Sequence, residues 1–98
     1  MGVRAQFSPR AISDLDSIRE YLLPRSPQGA ESVRLAITDT IALLEQFPRA
    51  GRESTISGVR VIAVARYDYL IYHRTGTDEV SILHIRHGAR QAPEREEM

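Results

Sequence analysis

The chemistry-bearing residues of this chain crowd into "ILHIRHGARQ" (82–91), where His84, Arg86, His87 and Arg90 follow an apolar run. A histidine titrates near neutrality, and an arginine fork can hold a carboxylate or phosphate by two bonds at once. Three uses fit: a catalytic cluster, an anion grip, or a basic strand end whose histidine bonds local backbone. His87 is the titrating candidate, and Arg60, Arg66 and Arg90 are candidate grips. Arg90 also suits a surface or tail-pinning cation. Alternate residues of a strand face opposite ways, so His84 and Arg86 are expected across the sheet from His87. Spacing therefore defines no His–carboxylate or His–Tyr pair, and His73 and His84 read as structural. No metal is expected, because the three histidines lack an i, i+4 helical pair and cysteine is absent. Neither a phosphate loop nor a nucleophile elbow occurs, so no cofactor is expected.

The frame around these residues is small. Ninety-eight residues suffice for one core. The domain is expected to span 1–92, with 93–98 a frayed tail. Without cysteine the fold must be held by packing alone, which suits a reducing cytosol, and no apolar run approaches membrane-span length. All thirteen cations are arginine and the net charge is zero. Residues 48–90 hold seven arginines against four acids, a mildly basic module between acidic ends. That excess is far below what extensive phosphate contact demands.

"VRAQFS" (3–8) alternates as a strand. Ser8-Pro9 and Ser26-Pro27 each place a capping hydroxyl before a first-turn proline, and Pro24 and Pro48 end the two helical runs. Ile12, Leu15, Ile18, Leu22 and Leu23 form the stripe of a first helix; Ala30, Val33, Ile37, Ile41, Leu44 and Phe47 form that of a second. The short link predicts an antiparallel helix hairpin. Leu35 and Tyr21 fall outside the stripes. After a polar loop (48–58), "VRVIAVA" (59–65), "YLIYHR" (69–74) and "EVSILHIR" (79–86) predict an antiparallel meander. The fold class is α+β, in the order β-α-α-β-β-β, with the hairpin on one face of a small, largely antiparallel sheet.

Simple alternation places Val80 and Ile82 on one face of the last strand and Leu83 and Ile85 on the other. Both faces of the sheet are then apolar, and one hairpin covers only one. A partner chain is expected on the second face, unless the 48–58 loop and tail fold over it.

"YLIYHRTGTDEVSILHIRHGARQ" (69–91) closely resembles the C-terminal signature of the RelE/ParE toxin superfamily, catalogued also as plasmid stabilisation proteins. Its marks are a Tyr-rich strand ending in Tyr-x-Arg (Tyr69–Arg74) and a strand ending in His-Gly-Ala-Arg (His87–Arg90). "SPRAISDLDSIREYL" and "LLEQFPRAGR" resemble the family too, while Gln91 stands where it more often has an acid.

The resemblance implies a cytoplasmic type II toxin neutralised by a small ParD-like antitoxin, whose N-terminal half binds DNA and whose C-terminal segment wraps the toxin. ParE-like members inhibit DNA gyrase without chemistry of their own; RelE-like members cut mRNA in the ribosome. The zero charge, absent lysine and His-Gly-Ala-Arg ending resemble the ParE branch. The alternatives are a ribosome-dependent endoribonuclease using His87 with Arg60, Arg66 and Arg90, and a non-toxic antitoxin-binding member. Residues expected to bind antitoxin or target are Leu22, Leu23, Val33 and Ile37 on the hairpin, with Arg60, Arg66, Arg74 and Arg90 at strand ends. A hetero-oligomer with antitoxin is expected, without membrane association and with DNA reached only through that partner.

Overall fold

The computed structural model describes residues 2–88. Arg90, the domain end at 92 and the tail lie outside these residues. The elements are β1 (Arg4–Phe7), α1 (Pro9–Leu22), α2 (Pro27–Gln46), β2 (Arg52–Glu53), β3 (Arg60–Ala63), β4 (Tyr69–Thr75) and β5 (Glu79–His87). Both helices start as the caps dictate. The Ser8 hydroxyl accepts from the Ala11 amide and the Ser26 hydroxyl from the Gly29 amide, each followed by proline at the first position. Among the described residues no helix is long and apolar enough to cross a membrane.

The sheet order is β1-β5-β4-β3-β2. The expected meander is present in β3, β4 and β5, and β1 adds to it in parallel beside β5. The two-residue β2 lies within the expected loop. Gly51 permits it: its φ is 90°, and a Cβ there would fall 2.3 Å from the Val61 carbonyl oxygen.

Two expectations are corrected. Val80, Ile82 and Ile85 all lie in the core beneath the helices, with Ile71, Val64, Ala11, Val33, Ile37 and Leu44. Alternation fails because Tyr72 pairs with His84 while His73 pairs with Ile82, leaving Leu83 as an extra residue in β5. This bulge reverses the facing of everything after it. Ser8 holds the bulge in place: its hydroxyl donates to the Leu83 carbonyl at 2.8 Å, and its amide to that of Ile82 at 2.9 Å.

The second face, expected to need a partner, is largely closed by the chain itself. Ile56 and Val59, from the loop before β3, pack with Val61 and Tyr72, with Leu70 and Leu83 at the margin. The large apolar side chains left open lie mainly on the helices instead. Ile12 and Phe47, expected inside, are 51% and 57% exposed; Tyr21, Leu23, Leu35 and Leu43 are exposed as well.

Candidate functional site

The antiparallel hairpin does not zip shut. Between α1 and α2 lies an open groove of about 430 Å³, floored by Leu15, Ile18, Leu22, Val33, Ile37 and Ile41, with Leu23 on its wall. All four apolar residues expected to dock a partner, Leu22, Leu23, Val33 and Ile37, line it. Asp16, Arg19, Glu31 and Arg34 stand around them, with Arg34 already paired to Glu31 by a two-bond fork. An apolar trough bordered by charges of both signs suits an amphipathic peptide segment.

The strand-end cations do not gather. Arg60 pairs across the sheet with His73, whereas His87 pairs with Tyr69 at the opposite end of β4. Four residue steps along β4 separate these positions, about 13 Å at the usual rise. Arg66 occupies the β3–β4 turn in a left-handed conformation (φ 75°), and Arg74 is exposed opposite Ser81. The His87 ring is exposed and meets Tyr69 edge-on at 5.5 Å. Burial raises the Tyr69 phenol above its ordinary value, and the neighbouring Tyr21 adds to the shift. Among the described residues no three histidine or acidic side chains come together as metal ligands would.

His84 and Arg86 face away from His87, as alternation predicts beyond the bulge, and they enter a network that spacing did not reveal. His84 is 4% exposed, stacks on Tyr72 at 5.8 Å, and shares a 2.6 Å contact through Nδ1 with Asp14 Oδ2. Arg86 donates from Nε and an Nη to the Tyr72 hydroxyl and from the other Nη to the His87 carbonyl. Asp14 on α1 also accepts the Ile85 amide at 2.9 Å and Arg10 Nε at 3.0 Å. These bonds orient buried side chains and saturate a strand edge, a structural assignment.

His73 is fully buried, and neither ring nitrogen has a hydrogen-bond partner of good geometry. Burial holds its pKa below the ordinary 6.5, and the Arg60 charge pushes the same way; the Ala50 backbone offsets part of this.

With this geometry in hand, comparisons place the chain among known proteins. A family model described as ParE toxin of type II toxin–antitoxin system, parDE, matches residues 5–92. Putative toxin Y4kP of Sinorhizobium fredii is 31% identical over 91 residues, 93% of this chain and 94% of that protein. Toxin RelE2 of Caulobacter vibrioides is 33% identical over 81 residues, covering 83% and 90% respectively. A solved structure titled "Chromosomal ParDE TA system from P. aeruginosa" superposes with a TM-score of 0.78 at 26% identity, covering 87% of this chain and 95% of the other.

Proposed function

The chain belongs to the ParE toxin family of type II toxin–antitoxin systems, and from that premise we propose that it inhibits DNA gyrase by binding, under the control of a ParD-like antitoxin. The antitoxin's C-terminal segment lies in the α1–α2 groove against Leu22, Leu23, Val33 and Ile37. That groove is the observation that carries the proposal: a soluble fold keeps an apolar trough open for an occupant, and a disordered tail can fill a large one. Action by binding is supported by the separation of His87 from Arg60, since acid–base catalysis on a phosphate needs both beside one atom. In this reading Arg60, Arg66, Arg74 and Arg90 contact the target or antitoxin carboxylates, and DNA is met only through the antitoxin.

The test is gyrase supercoiling with purified chain, alongside transcript integrity in cells producing it without antitoxin. Inhibited supercoiling with intact transcripts is expected. Cut transcripts with normal supercoiling would replace this reading with an endoribonuclease built on His87, Arg60, Arg66 and Arg90. Antitoxin capture with neither effect would mark a non-toxic binder.

A further inference from the structure

A second cavity, of about 420 Å³, opens where the segment 49–60, which contains β2, turns back on the sheet. Arg49, Glu53, Ser57, Arg60 and Thr75 line it, with Ile56 and Val59 as an apolar wall. Its walls are fixed from within. The Thr75 hydroxyl donates to the Pro48 carbonyl, and that of Ser54, also in the lining, to the Val59 carbonyl. Arg60 commits one Nη to the Gly51 carbonyl, yet its Nε is buried without a partner. Neither Arg49 nor Arg60 has an ion pair among the described residues. Two arginines without ion pairs thus share a preformed concavity, beside the buried His73, whose cationic form the Arg60 charge disfavours.

We infer that this cavity is an oxyanion site for an acidic side chain, a glutamate or aspartate of a bound peptide. A single carboxylate fits better than a polyphosphate, because Glu53 in the lining repels further negative charge. Ile56 and Val59 face the methylenes of such a side chain. A segment of the antitoxin supplies that acid to Arg49 and Arg60. The inference rests on the antitoxin reading for the identity of that segment, but not for the site's chemistry.

The experiment is a ¹⁵N–¹H titration of the full chain with a blocked glutamate, a blocked glutamine and inorganic phosphate, read at the Gly51, Ser57 and Gly58 amides and the His73 ring. Saturable shifts with glutamate, none with glutamine, and a rise in the His73 pKa as the carboxylate screens Arg60 are expected. Arg49→Gln with Arg60→Gln should abolish them; Arg49→Glu alone, at an exposed position, serves if the double variant misfolds. An equal response to glutamine, no saturation by glutamate, or shifts surviving in the variants would overturn the inference. Saturation by phosphate alone would overturn the acidic-peptide source. In the toxin–antitoxin complex the same variants should weaken association about tenfold. Failure of the wild-type chain to bind antitoxin would sink the functional reading, while the titration would still decide the site.

Discussion

Asp14 Oδ2 lies 2.6 Å from His84 Nδ1, joining the second turn of α1 to a residue on the far face of β5. The same oxygen accepts the Ile85 amide. One carboxylate therefore terminates the strand edge beyond β1 and fixes the orientation of the His84 ring. Ser8 does the equivalent one turn earlier, at the bulge. Together they clamp the part of β5 that has no neighbouring strand on that side.

Asp14→Ala leaves the Ile85 N–H and the His84 ring without their acceptor. Each orphaned buried group costs about 1–3 kcal/mol. The two groups together amount to about 2–6 kcal/mol, so thermal unfolding should show a melting temperature lower by roughly 8–25 °C for a domain of this size. Asp14→Asn keeps an amide oxygen for Ile85 and should lose clearly less. An alanine variant melting with the wild type would refute the clamp.

The helices were legible because their signals are local: Ser8-Pro9, Ser26-Pro27, Pro24 and Pro48 act within one turn of where they stand. The meander of β3, β4 and β5 was legible from short connectors, whereas the parallel place of β1 beside β5 and the short β2 were not. Leu83 was not legible. A bulge inserts one residue with no mark on the apolar pattern, yet it returned Ile85 to the helix side, and the loop residues Ile56 and Val59 cover what remains of the second apolar face. The Asp14–His84 contact spans 70 residues and comes from how α1 lies along β5, which no local pattern encodes. Ile12 misled because α1 buries a narrower stripe than its apolar residues suggest.

His73 makes stability pH-dependent in a defined direction. The unfolded chain protonates it near pH 6.5, and the folded chain only at lower pH because burial and Arg60 disfavour the cation. Its contribution is therefore complete above about pH 6.5 and is lost as pH falls through the depressed folded value. Urea unfolding at a series of pH values should show this acid limb. His73→Leu should flatten it, and should raise stability at neutral pH by about 1–2 kcal/mol by removing two buried nitrogens that lack a hydrogen bond of good geometry. An unchanged acid limb in the leucine variant would reassign it to the carboxylates.

His87 separates binding from catalysis. A proton-transfer histidine contributes about 10²- to 10⁴-fold, so an endoribonuclease should lose nearly all activity on His87→Ala. A chain acting by contact should keep growth inhibition within about threefold, because an exposed ring that transfers no proton can be trimmed at the cost of contact alone. Growth inhibition titrated against inducer, with variant levels matched by immunoblot, decides between them.

The groove offers a control that the core does not. Ile37 is 3% exposed and belongs both to the groove floor and to the cluster beneath the helices. Ile37→Ala should therefore lower stability by about 2–5 kcal/mol and weaken antitoxin binding at the same time, without saying which loss caused the other. Leu23 stands at the end of α1, 40% exposed, outside that cluster but on the groove wall. Leu23→Arg leaves the core untouched, so its melting temperature should stay within a few degrees of wild type. A guanidinium set against an apolar segment must either stay hydrated and hold the segment off or lose its water, and either route costs binding. Calorimetry with the antitoxin's C-terminal segment should show affinity lower by at least about tenfold. Full affinity in Leu23→Arg would move the antitoxin out of the groove and remove the observation on which the proposed function stands.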